Sequence, residues 1–564
     1  MGWLLCIVAP RGHPARRERP RGRYAATFEA DTDALRLVGG GPPRTFYARQ
    51  DGAAVEAVCG LGARVDGEAC AVVTPDAWRP ILAAGAIPAT VGGGVAALRW
   101  DGRGLWAATD ALGLRNLYVT SIPDGLVVAT HLDLIAPFLA HRRVDARALG
   151  GHLRGLNAFA AASLLGGAER LGPGGSLRYA AGRLTVARRP WAEDDVAPAG
   201  LAVTTRLTER GAPAPVSLGL SGGFDSRVVL GHLLAHGPAA DARLHVFGEP
   251  DDPDVRVARR VAEGAARPLR VGTPGLGDAD ALLDALERWA VPTNALTPAS
   301  ASARYADVAP RVADGRIVVD GGFGEIARGQ FFKRAGLLLL RRPGAPPEAL
   351  ARVLVRPPTG LFAADLERPP AADLADALGS MALGSLTLGT MPPPRWPHVR
   401  AWLDWFAVRT RLPNFYGYGQ DGFDLFVPSF MPCAHPAFLA AVRAGRPLGY
   451  GVPDRLRRYP LVKGGREIAF GTSPLVQALR LRRAALRPAP ETPGGSYAAR
   501  YLRRLEEPLR SLAGSDSART CGLYDGARLG AAIDAFYRGD DALAGPLDRW
   551  LAFETWRAAV GATR

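Results

Sequence analysis

The first third of the chain consists largely of short apolar runs separated by glycine, proline and aspartate. Runs of this length, broken at close intervals by turn residues, are typical of strands joined by tight turns. Four of them follow one another at 95–100, 104–109, 116–120 and 125–130. The pattern therefore predicts an antiparallel sheet in this part of the chain.

After a polar, breaker-rich stretch at 192–200, continuous apolar runs alternate with segments that have helical apolar spacing. The predicted strands and helices lie, in chain order, at 216–220, 226–235, 244–247 and 255–263. Such an alternation is the signature of a parallel sheet with crossover helices. We therefore predict two domains, 1–195 and 196–564, as a chain of 564 residues is too long for one core.

The composition excludes several classes of protein. A hydrophobic fraction of 48% with 22% charged residues is too apolar for a disordered chain. No apolar run approaches the roughly 18 residues that a membrane span needs, and no basic residue precedes the apolar N-terminal stretch, so neither a membrane protein nor a secretory signal is expected. The five cysteines include no CxxC pair, which favours a reducing, cytoplasmic location.

The chain carries 69 Lys and Arg against 54 Asp and Glu, a net charge of +15. Such a charge could indicate a nucleic-acid partner. However, 67 of the basic residues are arginine and only Lys333 and Lys463 are lysine, which indicates compositional drift toward arginine. Arginine then occupies generic solvated positions, and no nucleic-acid partner is expected.

The most informative segment is 220–226, Leu-Ser-Gly-Gly-Phe-Asp-Ser, which joins a predicted strand to a predicted helix. Backbone N–H groups at the helix N-terminus, with the hydroxyls of Ser221 and Ser226, would form a cradle for a diphosphate. Gly222 and Gly223 have no Cβ, so they would allow the backbone to come close to the diphosphate. Asp225 needs a cation between itself and a phosphate, so we interpret it as a Mg²⁺ ligand. Without a Gly-Lys-Ser/Thr sequence, this is not a Walker loop.

This segment resembles the SGGxDS loop of N-type ATP pyrophosphatases, which cleave ATP to AMP and pyrophosphate to activate a substrate. The segments around it resemble, in the right order, those of the asparagine synthetase family. They are 105–118, 125–131, 171–174 with Trp191, Phe247 and Gly248 with Asp254 and Ala258, and 320–330. The resemblance covers the chain from about residue 95 to about residue 470.

The resemblance implies an α/β and α+β two-domain protein. An Ntn-hydrolase-like antiparallel sandwich would come first, followed by a parallel-sheet synthetase domain with a helical C-terminal part. ATP and Mg²⁺ would be the cofactors, with Asp225 and Asp320 as metal ligands. The implied ATP-binding residues are Leu220, Ser221, Gly222, Gly223, Asp225, Ser226, Phe247 and Gly248.

The chain departs from the family at the glutaminase nucleophile. The family has a cysteine directly after the initiator Met, whereas this chain has Gly2 and Trp3, and its nearest thiol is Cys6. We interpret Cys6 as a small apolar residue of the first strand. The expectation is a degenerate amidotransferase domain without glutaminase activity.

The 320–330 loop departs as well. Aligned on Glu325, the metal-binding aspartate of the family is replaced by Gly324, and an earlier acid is replaced by Gly321. Asp320 and Glu325 are the carboxylates that remain. Each could complete a Mg²⁺ site, act as an acid or base, or only hold a turn.

Lys463 lies where the family has a lysine proposed to stabilise the acyl-adenylate, with an offset of one residue. A lysine that survives in an arginine-rich chain indicates a need for a compact ammonium group, which a planar guanidinium does not replace. We therefore predict that Lys463 is catalytic. Lys333 follows the 320–330 loop and could contact pyrophosphate, but we interpret it as a surface residue.

These observations predict an AMP-forming amide ligase that activates a small-molecule or peptide carboxylate for attack by an amine. Lys463 would stabilise negative charge and Glu325 would handle the proton. The alternatives are asparagine synthase using ammonia, a lasso-peptide or β-lactam-type cyclase, a tRNA- or nucleotide-modifying pyrophosphatase, and an inactive ATP-binding scaffold. Besides the two substrates, the partners to expect are a second copy of the chain, in a homodimer, or biosynthetic partner proteins.

Overall fold

The computed structural model describes most of the chain. The described residues are 2–20, 22–154, 162–189, 191–192, 195–236, 242–329, 331, 335–342, 347–367, 396–445, 451–472, 474–485 and 496–564. Among them, no helix combines the length and the apolar character that crossing a membrane requires.

Two six-stranded antiparallel sheets form the first part of the molecule and confirm the predicted antiparallel architecture. In spatial order, the first contains Glu169–Arg170, Tyr118–Ile122, Gly125–Ala129, Trp3–Val8, Leu35–Gly40 and Phe28–Asp31. The second contains Arg183–Arg188, Gly175–Ala180, Gly104–Thr109, Ala96–Trp100, Ala54–Cys59 and Phe46–Asp51. The four predicted strand segments all lie in these two sheets.

The two sheets pack face to face as a sandwich. Successive side chains of a strand point to opposite faces, and both faces of the first strand are buried. Leu4 and Cys6 belong to the core between the sheets. Trp3 and Leu5 belong to a second core, shared with helices from the C-terminal part of the chain such as Ala544–Val560. The sandwich is therefore covered by later parts of the sequence.

A small third sheet joins segments from either side of residue 195. Its strands, in spatial order, are Ala212–Pro213, Leu207–Glu209, Ala69–Val72, Ala63–Asp66 and Val91–Gly92. Leu207–Glu209 runs parallel to Ala69–Val72. This sheet therefore contains strands from both sides of the predicted domain boundary at 195/196. The boundary itself stays a prediction.

The fourth sheet has five parallel strands and confirms the parallel sheet predicted for the part of the chain after residue 195. Its spatial order is Leu269–Gly272, Arg243–Phe247, Val216–Gly219, Ile317–Val319 and Ser429–Phe430. The two predicted helices are observed as Phe224–His236 and Pro253–Gly264. A separate hairpin pairs Leu461–Lys463 with Arg466–Ile468.

The remaining helices surround the sheets. Those before residue 205 are Pro75–Ala84, Leu132–Ile135, Ala146–Arg154 and Leu201–Thr204. Those between 275 and 445 are Ala279–Ala290, Ala309–Ala313, Leu337–Arg341, Pro347–Leu354, Trp396–Phe406, Gly417–Asp424 and Pro436–Arg443, with π-helical segments at Ala303–Val308 and Ala407–Tyr416. The last are Asp454–Arg457, Pro474–Ala485, Tyr497–Arg503, Glu506–Gly514, Asp516–Thr520, Gly526–Tyr537 and Ala544–Val560.

A buried polar contact joins the sandwich to the helix Gly417–Asp424. Arg115, which is 1% exposed, pairs with Asp424, and its Nε lies 3.1 Å from Oδ1 of Asp421. Asn116 Nδ2 donates to Oδ2 of Asp421 at 2.6 Å. One guanidinium therefore serves two buried carboxylates of this helix.

Candidate functional site

The candidate site lies at the switch point of the parallel sheet. After the central strand Val216–Gly219, the chain adds two strands on one side of it and then returns to its other side as Ile317–Val319. In open parallel sheets, ligands bind in the crevice outside the carboxyl ends of the strands at such a point. The segments that follow these two strands are the Gly-rich loop, residues 220–226, and the turn at 320–324.

The hydroxyls of the Gly-rich loop converge at the N-terminus of the helix Phe224–His236. Oγ of Ser221 lies 3.2 Å from Oγ of Ser226, and the Ser226 hydroxyl also accepts from the Ser221 N–H at 3.2 Å. Helix N-termini favour negative charge because their first N–H groups lack intrahelical partners. Both serines, predicted as ATP-binding residues, are thus brought together where an anion would bind.

The hairpin that carries Lys463 packs directly on the Gly-rich loop. A Cβ on Gly222 would lie 2.2 Å from Cγ2 of Val462, so only glycine fits this position. The Val462 N–H donates to the Gly222 carbonyl at 2.8 Å. The Gly222 N–H donates to Oδ1 of Asp254 at 2.8 Å, which fixes the loop against the next helix.

Buried Arg227 also ties the hairpin segment to the loop. Its guanidinium donates to the carbonyl of Tyr459 at 2.7 Å, to that of Gly222 at 3.3 Å and to that of Pro460. Burial lowers the pKa of Arg227 to about 10.

The turn at 320–324 interlocks with the start of the same helix. A Cβ on Gly321 would lie 2.7 Å from the Ser226 nitrogen and 2.8 Å from the carbonyl carbon of Asp225. Phe323 has a positive φ of 63°, a conformation that is costly for a bulky side chain, and its ring is fully buried. This close approach brings the Asp320 turn next to Asp225.

A cavity of about 1090 Å³ opens at this point. The predicted residues that line it are Leu220, Ser221, Gly223, Asp225, Ser226, Phe247 and Asp320. Those that do not are Gly222, Gly248, Glu325 and Lys463. The structure therefore brings most of the predicted nucleotide-binding residues and both predicted metal ligands to one cavity.

Asp225 forms an ion pair in this structure. Nη2 of Arg328 lies 2.6 Å from Oδ2 of Asp225, and the Arg328 guanidinium lies 4.8 Å from the ring centre of Phe224. A cation thus already occupies one oxygen of the carboxylate to which the sequence assigns Mg²⁺.

Asp320 accepts a hydrogen bond from the Gly322 N–H at 2.6 Å, and burial raises its pKa to about 6. Mg²⁺ in nucleotide sites is commonly held by one or two carboxylates together with phosphate oxygens and water. Asp225 and Asp320, on two interlocked turns, fit this donor set. In the part of the chain that the structure describes, no group of three or more His, Cys, Asp or Glu side chains is arranged around a common metal position.

Glu325 does not line the cavity, but it contacts Tyr416, which does. The Tyr416 hydroxyl donates to Oε1 of Glu325 at 2.5 Å. Burial, reinforced by the negative charge of Glu325, raises the pKa of Tyr416 above its ordinary value. A proton path from the cavity to Glu325 would pass through this hydroxyl.

Lys463 is exposed at the end of its strand. Its neighbour Val462 contacts the Gly-rich loop, and Gly465, in the turn of the hairpin, lines the cavity. The catalytic role of Lys463 stays a prediction. Lys333 lies outside the described residues.

Sequence reasoning missed a second group of residues that line the cavity. It contains four rings, Phe247, Trp289, Tyr305 and Phe423, which we call the aromatic wall, together with Arg304 and Gln420. Only Phe247 was predicted to lie in the site. The others come from three separate segments, and none stands in a motif that would have identified it.

None of the five cysteines lines the cavity. All five are free and buried. Cys6 is fully buried in the sandwich, and burial raises its thiol pKa. This agrees with its interpretation as a small apolar residue.

The fold and the site define an α/β unit whose parallel sheet carries a Gly-rich loop at its switch point, joined to an antiparallel sandwich. Among solved structures, the chain is similar to glutamine phosphoribosylpyrophosphate amidotransferase from B. subtilis complexed with ADP and GMP. The identity is 13%, the match covers 56% of this chain and 68% of that chain, and the TM-score is 0.18.

A structure of the allosteric regulatory enzyme of purine biosynthesis matches at 14% identity, over 57% of this chain and 68% of that one, also with a TM-score of 0.18. A TM-score this low does not establish a shared fold, so the architecture rests on the sheets themselves. No protein-family model and no curated protein matches the chain.

Proposed function

We propose that the protein is an ATP-dependent ligase that forms an amide and releases AMP and pyrophosphate. One observation carries the proposal. The paired hydroxyls of Ser221 and Ser226 lie at a helix N-terminus, at the switch point of a parallel sheet, and line the same cavity as Asp225 and Asp320. This arrangement suits a triphosphate whose pyrophosphate is held by the loop.

In the first step, a carboxylate oxygen of the substrate attacks the α-phosphorus of ATP. The bond from that phosphorus to the bridging oxygen breaks, and pyrophosphate remains at the Gly-rich loop. Asp225 and Asp320 would hold Mg²⁺, which neutralises charge on the phosphate oxygens when it is bound.

In the second step, an amine nitrogen attacks the carbonyl of the acyl-adenylate, and the bond to AMP breaks. The amine loses a proton, which Glu325 accepts through the Tyr416 hydroxyl or a water molecule. Lys463 stabilises the negative charge that develops on the oxygen, provided that the hairpin turns its side chain toward the loop.

The burial of Cys6 supports the absence of a glutaminase. A thiol must reach the surface and ionise to attack glutamine, and Cys6 is enclosed between two sheets. Ammonia or a substrate amine would then supply the nitrogen.

The direct test is ATP–pyrophosphate exchange with a panel of carboxylates, together with separation of AMP from ADP among the products. We expect carboxylate-dependent exchange, with AMP as the nucleotide product. Asp225→Asn should abolish exchange, whereas Asp284→Asn, which changes an exposed carboxylate on another helix, should not. Exchange at the wild-type level in Asp225→Asn would contradict the proposal.

The Arg328–Asp225 ion pair favours a second candidate, an ATP-binding protein without ligase activity. A guanidinium on the metal-binding carboxylate would keep Mg²⁺ away from it. This candidate predicts ATP binding that is independent of Mg²⁺, with no pyrophosphate formed with any carboxylate.

A further inference from the structure

The aromatic wall forms one continuous apolar surface of the cavity. The ring centre of Tyr305 lies 4.7 Å from that of Trp289, 4.7 Å from that of Phe423 and 6.0 Å from that of Phe247. Trp289 is almost fully buried, while the other three rings are half-buried and line the cavity. Trp289 thus supports three rings that leave part of their surface open to a ligand.

The size of the cavity allows more than a nucleotide. Its volume of about 1090 Å³ exceeds the roughly 300–1,000 Å³ typical of a site for one drug-sized ligand. The Gly-rich loop and Asp320 provide the polar side, which suits phosphates. The aromatic wall suits a flat or bulky apolar group, because rings gain from edge or face contact in addition to the burial of area.

Gln420 contributes a buried acceptor without a partner. Gln420 is 3% exposed, and its Nε2 donates to the Ser429 carbonyl at 3.0 Å, which fixes the orientation of the amide. Its Oε1 is buried and has no hydrogen-bond partner in the described structure, although the residue lines the cavity. An unpaired buried acceptor is costly, so a ligand that donates a hydrogen bond to Oε1 would be favoured once the side chain shifts to expose this shielded oxygen.

The charges of the cavity restrict the ligand further. Five aspartates line it, at positions 225, 251, 252, 254 and 320, against Arg256 and Arg304. Arg256 pairs with Glu467, whereas Arg304, 5.9 Å from the ring centre of Phe247, has no ion pair among the described residues. The cavity thus offers one unpaired guanidinium, which suits a single carboxylate better than a dicarboxylate.

We infer that the aromatic wall is the subsite for the carboxylate substrate, and that this substrate is an aromatic or bulky apolar monocarboxylate with a hydrogen-bond donor, not aspartate. The inference rests on the proposed ligase function. The rings hold the apolar group, Gln420 Oε1 accepts from an ammonium or hydroxyl group, and Arg304 holds the carboxylate before it reacts.

The test is calorimetric binding to the full chain in the presence of Mg²⁺ and α,β-methylene-ATP, an analogue that cannot release pyrophosphate. The probes are L-phenylalanine, 3-phenylpropionate, which lacks the amine, and L-aspartate. We expect L-phenylalanine to bind at least about tenfold more tightly than L-aspartate, a difference of about 1.4 kcal/mol. It should also bind more tightly than 3-phenylpropionate.

Variants of the aromatic wall and of Gln420 test where L-phenylalanine binds. Tyr305→Ala and Phe423→Ala should each weaken L-phenylalanine binding about tenfold and leave the affinity for the nucleotide analogue unchanged. Gln420→Met should remove the preference for L-phenylalanine over 3-phenylpropionate. Tyr179→Ala, which changes a half-buried tyrosine of the sandwich, should change neither affinity.

Three results would overturn the inference: tighter binding of L-aspartate, no binding of L-phenylalanine, or loss of nucleotide affinity in Phe423→Ala, which would place the adenine on the wall. Failure of the proposed function is a different result. In that case no carboxylate supports exchange with ATP, while L-phenylalanine binding still reports on the wall.

Discussion

Nη2 of Arg328 lies 2.6 Å from Oδ2 of Asp225, so the carboxylate to which the sequence assigns Mg²⁺ is paired with a guanidinium. The ion pair is partly exposed and therefore contributes little to stability. Its consequence is competition, because Mg²⁺ must displace the guanidinium to reach this oxygen.

Arg328→Met should therefore lower the Mg²⁺ concentration needed for ATP binding several-fold. The measurement is ATP affinity as a function of Mg²⁺ concentration, with Arg455→Met, a change at an exposed arginine elsewhere, as the control. A weaker ATP affinity at saturating Mg²⁺ would instead assign Arg328 to phosphate binding.

Gly321→Ala should disrupt the contact between the two turns. The added Cβ would lie 2.7 Å from the backbone nitrogen of Ser226, which cannot move without the helix. We expect a loss of about 1–3 kcal/mol in the free energy of unfolding, together with weaker ATP binding. Gly275→Ala, where a Cβ meets nothing within 4 Å, is the matched control. Denaturant unfolding and ATP titration of both variants check this, and equal behaviour would contradict it.

Arg227→Met and Arg227→Lys should separate charge from geometry at the hairpin. The guanidinium reaches three carbonyls, those of Gly222, Tyr459 and Pro460, and an ammonium cannot span all three. Both variants should therefore weaken ATP binding, with lysine restoring only part of it. Full restoration by lysine would mean that only the charge matters.

Lys463→Arg tests whether an ammonium group is required. If Lys463 stabilises the acyl-adenylate, amide formation should fall sharply in both Lys463→Arg and Lys463→Ala, while ATP affinity changes little. The measurement is single-turnover amide formation beside ATP binding. A wild-type rate of amide formation in Lys463→Arg would contradict the need for an ammonium group. Catalysis would then not explain why the chain has a lysine at this position.

The contribution of Asp421 and Asp424 to the free energy of unfolding should fall as the pH rises from about 4 to about 7. Burial raises the pKa of Asp421 to about 7 and that of Asp424 to about 6, from an ordinary 3.8. The folded state then binds these protons more strongly than the unfolded state, so deprotonation favours unfolding.

Asp421→Asn isolates one of these groups. The slope of its unfolding free energy against pH should be more positive than that of the wild type, by up to about 1.4 kcal/mol per pH unit in this range. Denaturant unfolding at several pH values checks this, with Asp284→Asn as the exposed control. Parallel curves for wild type and Asp421→Asn would contradict the assignment.

The sequence predicted what is encoded locally. The strand before Leu220, the helix from Phe224 and the loop between them follow from consecutive residues, and the structure contains all three. The antiparallel and parallel sheets follow from the same kind of pattern. Strand pairing between distant segments, as between Leu207–Glu209 and Ala69–Val72, has no such local signal.

The residues of the candidate site show the same difference between local and long-range contacts. The residues of the Gly-rich loop are adjacent in sequence and were found, whereas Trp289, Tyr305 and Phe423 meet only through tertiary packing. The Arg328–Asp225 pair was also missed, because a charge partner 103 residues away is not specified by spacing.

The helix Gly417–Asp424 links the sandwich to the proposed substrate subsite. Its Asp421 and Asp424 depend on Arg115 of the sandwich for a counter-charge, and the same helix presents Gln420 and Phe423 to the cavity. A C-terminal half expressed alone would lack the counter-charge of these two carboxylates, and we expect the helix to shift as a result. We therefore expect the sandwich and this helix to unfold together, so that the antiparallel sheets would support the pocket without any glutaminase activity.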